Sequence, residues 1–202
     1  MTITIIFFDI NSSLVESYQK VLQEINAPIK LDFQKCDVSD LLKNNKLDAV
    51  VSPANSFGDM SGGIDKVYTK IFPDIQSVVK KYIAFAGLGN GGLGTYLPVG
   101  KSLLIPTNVT LCPYLIVAPT MYLPRSIRYE TDNIKKAFLT ILDIVNHMAK
   151  KKSNITIACS GLGTGVGCVD PTTSANKIKE AIKLYYPTPI VDTDNDLSVL
   201  DI

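Results

Sequence analysis

Residues Asp48 to Tyr68 read DAVVSPANSFGDMSGGIDKVY, and this stretch decides the fold. Ala49, Val50 and Val51 form a short apolar run that reads as a strand. The run empties into Ser52, Pro53, Ala54 and Asn55. Gly58, Gly62 and Gly63 follow, and an amphipathic segment begins at Ile64. A strand ending in small polar residues, then glycines that open a helix, makes a place for a polar ligand. Glycine lets the backbone come close, and the free N–H groups of a helix start attract anions. Ser160 to Asp170, SGLGTGVGCVD, has the same character. Two such loops in a small domain predict a single cleft for a phosphate-bearing ligand.

Outward from this stretch, strands and helices alternate. Ile3–Phe8, Ile29–Phe33, Ser102–Ile105, Leu115–Ala118 and Ile155–Cys159 are further strand signals. A helix capped by Ser12 or Ser13 is expected to run to about Ile25, with Leu14, Tyr18, Val21, Leu22 and Ile25 on one face. Val38–Asn44 reads as a short helix, Ile64–Phe72 and Ile75–Ile83 as two helices parted at Pro73. Ile134, Ala137, Phe138, Ile141, Val145 and Met148 mark a long amphipathic helix, and another starts near Pro171 and ends before Pro187. The alternation predicts an α/β chain with a mostly parallel sheet covered on both faces. No internal repeat or linker interrupts residues 1–202, so one domain is expected. The segment 187–202, with Asp192, Asp194, Asp196 and Asp201, is expected as an acidic tail or an edge strand. Ligands in such sheets sit beyond the carboxyl ends of the strands, where both Gly-rich loops begin.

Composition narrows the function. The chain has 202 residues, 46% hydrophobic and 19% charged, which suits a globular domain with a full core. A formal net charge of +1 gives no bulk drive toward nucleic acid or an anionic membrane. Lys150 to Lys152 close the long helix, where cations suit its dipole. No apolar stretch is long enough to span a bilayer, and Met1–Ile10 reads as a first strand rather than a signal peptide. The four cysteines, Cys36, Cys112, Cys159 and Cys168, form no CxxC pair, so a reduced, cytoplasmic setting is expected. Cys159 and Cys168 flank the second loop; burial is expected of them, with a reactive thiol as the alternative.

The single histidine, His147, falls on the polar face of the long helix four residues from Asp143, where an exposed pair is expected. A Ser-His-Asp triad, a Cys-His pair and a His-rich metal site are thereby disfavoured, and neither metal nor cofactor is expected. Gly87, Gly89 and Gly92 match GxGxxG, as do Gly89, Gly91 and Gly94. No strand leads into them and no helix follows, so a surface loop is expected instead of a dinucleotide fingerprint. Without a Gly-Lys-Ser/Thr ending the second loop is no Walker P-loop, yet it can cradle phosphate through backbone N–H groups alone.

Carboxylates and amides are the remaining candidates. Asp37 follows the second strand and could accept a hydrogen bond from the amine of a base, or cap the short helix. Asp65 enters the first turn of its helix and could activate a water, or merely complement the helix dipole. Asn55 could bond a sugar hydroxyl through both ends of its amide, or simply shape its loop. Arg125 and Arg128, the only arginines, could clamp a phosphate or form surface salt bridges.

Four of these segments, in order, resemble the macro domains, which bind ADP-ribose and its derivatives. They are Cys36-Asp37-Val38-Ser39, Ser52-Pro53-Ala54-Asn55, Ser61-Gly62-Gly63-Ile64-Asp65 and Gly163-Thr164-Gly165-Val166-Gly167. The likeness spans about Lys30 to Tyr186, and SPANSFGDMSGGID and LIVAPTMYLP are similar to a microbial and viral branch labelled ADP-ribose phosphate-processing. It implies a three-layer α/β/α fold with a mixed, mostly parallel central sheet. It also implies that Asp37 holds the adenine amine with the Val38 backbone nearby, and that Asn55 meets the distal ribose. Gly62, Gly63, Ile64 and Asp65 would border that ribose and the phosphates. Gly161, Leu162, Gly163, Thr164, Gly165, Val166 and Gly167 would wrap the pyrophosphate. Ser52 replaces the first Asn of the family pattern beside the distal ribose, Thr69 stands where a family His is found, and Gly167 replaces an aromatic. These changes leave room at the distal ribose for a substituted or cyclised ligand. Binding of ADP-ribose or a relative is the first expectation. A hydrolase acting at the distal ribose, on ADP-ribose 1″-phosphate or an ADP-ribosyl conjugate, is the second, with Asn55 positioning the ribose and Asp65 or a substrate phosphate activating water.

Overall fold

A computed structural model describes residues 2–86, 89–91 and 94–187 of the chain. The elements run β1 (Thr2–Asp9), α1 (Ser12–Leu22), β2 (Lys30–Lys35), α2 (Val38–Asn44), β3 (Ala49–Ser52), α3 (Gly63–Ile71) and α4 (Ile75–Ala86). They continue with β4 (Asn90–Gly91), β5 (Gly94–Thr95), β6 (Leu103–Pro106), β7 (Tyr114–Val117), α5 (Asp132–Ala149), β8 (Asn154–Cys159) and α6 (Pro171–Tyr185). Six strands form one sheet in the order β2-β1-β8-β3-β7-β6. Every pairing in it is parallel except β6 with β7. This is the expected mixed, mostly parallel sheet.

Strand alternation divides the core in two. Ile3, Ile5 and Phe7 of β1 pack with Tyr18 and Leu22 of α1, Phe138 and Ile141 of α5, and Ile178 of α6. Ile6 and Phe8 face the opposite side and pack with Leu41 of α2, Tyr68 of α3, Phe72 just after it, and Val79 of α4. Each face of the sheet is therefore sealed by three helices, giving three layers. The buried runs of β3 and β7 have no solvent-facing side, which is why they lack polar alternation.

Several details differ from the sequence reading. Asn11, not Ser12 or Ser13, caps α1 by accepting from the Ser13 N–H, and the helix stops at Leu22, short of Ile25. The supposed glycine loop contains a two-residue antiparallel ladder, Asn90 with Thr95 and Gly91 with Gly94. It follows α4 and not a strand, so the dinucleotide-fingerprint context is missing. Gly87 and Gly92, and the acidic segment beyond Pro187, lie outside the described residues. Lys152 forms an ion pair with Asp48 just ahead of β3, in addition to standing near the end of α5. Among the described residues no helix is long and apolar enough to cross a membrane.

Candidate functional site

Because β1, β8 and β3 are parallel neighbours, their carboxyl ends open on the same edge of the sheet. A cavity of about 550 Å³ lies there. Phe8, Asp9 and Ile10 line it from the end of β1, and Cys36, Asp37 and Val38 from β2 and the start of α2. Pro53, Ala54 and Asn55 line it from β3, and Gly62, Gly63, Ile64 and Asp65 from the start of α3. The segment after β8 supplies Gly161, Gly163, Thr164, Gly165, Val166 and Gly167. Both glycine-bearing turns thus border a single cavity.

The first turn is built around Asn55. Its Oδ1 accepts from the Phe57 and Asp59 N–H groups at 3.0 and 3.3 Å, and its Nδ2 donates to the Asp59 carbonyl at 2.8 Å. The amide therefore shapes the loop, and one of its two N–H hydrogens has no acceptor among the described residues. Gly62 caps α3 without a side-chain hydrogen bond, so the first-turn N–H groups of α3 have no side-chain cap. Gly63 adopts φ +55°, a conformation that glycine accepts without a Cβ penalty.

Asp65 is only 7% exposed, in the first turn of α3. Ser52 Oγ donates to its Oδ1 at 2.6 Å. Burial pushes the Asp65 carboxyl up to about 7, with the Ser52 hydroxyl opposing the rise and Asp59 adding to it. Burial disfavours the ionised form, and one hydroxyl donor cannot restore what water would give. A carboxyl with its pKa near 7 on a cavity wall can take or give a proton at neutral pH. Ser52 is fully buried and is not a wall residue; it reaches the site only through Asp65. Tyr68 lies one turn on, its hydroxyl donating to the Val51 carbonyl at 3.1 Å.

The second turn is held at several points. Ile127 N–H donates to the Gly167 carbonyl at 2.8 Å, Val169 N–H to Gly163 at 3.0 Å, and Cys168 N–H to Gly165 at 2.9 Å. The N–H groups of Thr164, Gly165, Val166 and Gly167 meet no acceptor among the described residues. Gly167 has no alternative: a Cβ there would lie 2.4 Å from the Gly163 carbonyl oxygen. The turn as it closes here leaves no room for a side chain at this position. Leu162 is buried, and only its backbone neighbours, not its side chain, reach the cavity.

At the other end, Asp37 caps α2 by accepting from the Ser39 N–H at 2.7 Å while also lining the cavity. Both readings of this residue are therefore compatible with its position. The wall carries Asp9, Asp37, Asp59 and Asp65 and, among the described residues, no lysine, arginine or histidine. An anion would have to be held by backbone donors. Arg125 pairs with Glu130 at 2.6 Å and Arg128 Nε donates to Ser126 at 3.3 Å; both arginines are exposed and neither lines the cavity. His147 is exposed, but it forms no ion pair with Asp143 among the described residues. Cys159 is buried as expected, and burial raises its thiol; Cys168 is exposed, against expectation, because its backbone takes φ +53° in the turn. The described residues hold no cluster of His, Cys, Asp or Glu suited to a metal.

Phe8, Asp9, Ile10, Asp59, Val67, Thr120, Met121 and Pro124 also line the cavity, and the sequence reading misses them. The rule that ligands sit beyond strand carboxyl ends, applied to β1 and β7 as well as to the glycine-bearing exits, would have found most of them.

The chain is similar to known proteins in sequence and in fold. The Macro domain family profile matches residues 51–178. An uncharacterized protein of Aquifex aeolicus is 28% identical over 155 residues, covering 74% of this chain and 84% of its own length. The macrodomain of Mycobacterium tuberculosis DarG superposes with a TM-score of 0.55 at 16% identity, covering 71% of this chain and 86% of that one. A mutant of the Oceanobacillus iheyensis macrodomain, in a structure with ADPR, superposes with a TM-score of 0.52 at 16% identity, covering 68% and 70%.

Proposed function

This chain belongs to the macro domain family, and we propose on that premise that its cleft binds ADP-ribose or a nucleotide derived from it. The observation that carries the proposal is the convergence of two glycine-bearing turns on one cavity whose wall has no cation among the described residues. A diphosphate would be held by the N–H groups of residues 163–167 and by the start of α3, as nests and helix starts hold anions. Asp37 would accept from the adenine amine beside the Val38 backbone. Asn55, through its remaining N–H, would meet the distal ribose near Gly62 and Gly63. A cavity of about 550 Å³ falls within the usual size range of small-molecule sites. The ligand seen in the Oceanobacillus iheyensis macrodomain structure supports the class of ligand.

Titration calorimetry with ADP-ribose, and with adenosine for comparison, tests this reading. Saturable one-to-one heat with ADP-ribose, tighter than with adenosine, is expected. No heat with ADP-ribose at millimolar protein and ligand would refute it.

The buried Asp65, with its raised carboxyl, favours a second reading in which the bound nucleotide is turned over. On ADP-ribose 1″-phosphate, the Asp65 carboxylate would take a proton from water as the water oxygen attacks phosphorus. The bond from phosphorus to the ribose oxygen breaks, the loop N–H groups steady the developing charge, the proton held by Asp65 passes to the departing ribose oxygen, and ADP-ribose and inorganic phosphate leave. On an ADP-ribosyl conjugate, the same base would take a proton from water as the water oxygen attacks the distal anomeric carbon; the bond from that carbon to the protein side chain breaks, and the proton passes to the departing side chain. Phosphate release and loss of label from an ADP-ribosylated protein are the assays. Turnover lost in Asp65→Ala with binding kept supports the enzyme; no turnover by the unmodified protein on either substrate leaves a binding module.

A further inference from the structure

Leu162 stands between Gly161 and Gly163, at the start of the turn assigned above to the diphosphate. Its side chain is buried, and its peptide groups are both engaged from behind. The Leu162 N–H donates to the Tyr18 hydroxyl at 3.1 Å, and the Leu162 carbonyl accepts from Ser174 Oγ at 2.7 Å. Tyr18 and Ser174 meet each other at 2.5 Å. Tyr18 comes from α1 and Ser174 from α6, and both are completely buried.

The protons in this cluster have one consistent arrangement. Ser174 donates to the Leu162 carbonyl, so it accepts from the Tyr18 hydroxyl. Tyr18 in turn accepts from the Leu162 N–H. Each hydroxyl gives one bond and takes one, and the three groups close a ring in which every bond polarises the next. Burial raises the Tyr18 hydroxyl well above its ordinary pKa, so the ring stays neutral and intact across the working pH range. The wall of the cavity on the other side of this peptide is Gly161 and Gly163, which have no side chains to fix their own orientation.

We propose that Tyr18 and Ser174 are positioning residues for ligand binding: by holding the peptide groups on both sides of Leu162, one through its N–H and the other through its carbonyl, they set the following N–H groups at the orientation an anionic diphosphate needs. Neither residue lines the cavity, so the effect passes through the backbone. A glycine-rich turn is costly to order, and a turn ordered before the ligand arrives spares the ligand that cost. The proposal rests on the diphosphate reading of this turn.

Tyr18→Phe keeps the ring that packs edge-on against Phe7 and removes only the hydroxyl. Ser174→Ala removes the other member, and Ser174→Thr restores a hydroxyl. Titration calorimetry of each with ADP-ribose and with adenosine reads the effect, and thermal unfolding reports folding. Tyr18→Phe and Ser174→Ala are expected to weaken ADP-ribose by about 10-fold, equivalent to about 1.4 kcal/mol, while adenosine affinity stays within about 2-fold. Ser174→Thr is expected to recover most of the loss. Amide exchange at Cys168 and Val169, whose N–H groups bond the turn at Gly165 and Gly163, is expected to speed up in the ligand-free Tyr18→Phe protein. Equal loss for both ligands, or ADP-ribose affinity unchanged with exchange at Cys168 and Val169 also unchanged, would overturn the positioning role while leaving the binding reading intact. No binding of ADP-ribose by the unmodified protein would instead overturn the binding reading, and this inference with it.

Discussion

Replacing Asp65 by asparagine tests the electrostatics of the site without filling or emptying it. The side chain is 7% exposed, and its carboxyl is pushed from an ordinary 3.8 up to about 7. In the unfolded chain the group ionises near 3.8, whereas in the folded protein it keeps its proton until about pH 7. Between those values the folded state binds more protons, so stability falls as pH rises and levels off above the higher value. At about 1.36 kcal/mol per pH unit, the gap from 3.8 to about 7 amounts to about 4 kcal/mol, fully felt above pH 7. The asparagine amide does not titrate in this range, and its oxygen can accept the Ser52 hydroxyl as the carboxyl Oδ1 does at 2.6 Å. Asp65→Asn should therefore gain on the unmodified protein by about 3 kcal/mol between pH 5 and pH 8, the span over which only the folded carboxyl changes state. Urea unfolding of both proteins at pH 5, 6, 7 and 8, at fixed ionic strength, measures this. A difference that is flat with pH, or that shifts in favour of aspartate as pH rises, would refute the reasoning.

Other expectations follow from the two turns and the proposed base site. Gly167→Ala places a methyl 2.4 Å from a backbone oxygen and should cost about 1–3 kcal/mol of stability, read by urea unfolding. Gly165→Ala has nothing within 4 Å of its new methyl, so stability should hold while ADP-ribose affinity falls in calorimetry, because the methyl keeps the diphosphate from the backbone. Asp37→Ala should weaken ADP-ribose by about 1–3 kcal/mol if the adenine hydrogen bond is buried. Because Asp37 also caps α2, Asp37→Ser separates the roles: thermal stability should be kept while calorimetry still shows the affinity loss. If the protein turns over its ligand, the rate should rise through about pH 7 as Asp65 ionises, and Asp65→Asn should abolish both the rise and the turnover.

The fold was legible because its signals were physical and local. The run Ala49–Val51 is buried on both faces and had to be apolar throughout, and the heavy amphipathic stripe of α5 matches its long contact with the core. The cleft was legible because glycines and small polar residues mark the exits of β3 and β8. Side-chain bonding was not legible. Asn55 and Asp37 each had two readings from sequence, and hydrogen bonding decides that each serves its own loop or helix while still facing the cavity. Ser52 sits on the face of β3 that meets Asp65, a pairing across 13 residues that only the turn between them sets. The Tyr18–Ser174–Leu162 ring joins residues 156 apart in sequence, and Tyr18 reads there only as one more apolar position of α1. Cys168 shows the reverse failure: a residue expected to be buried is turned outward by the backbone of its loop.

The account stands on both glycine-bearing turns meeting one diphosphate. Backbone amide resonances followed by two-dimensional NMR during titration with ADP-ribose test that directly. The N–H signals of Gly63 and Ile64 and those of residues 163–167 should shift together, at the same ligand concentration, and adenosine should leave most of them in place. Shifts confined to one turn, or lying outside both, would contradict it.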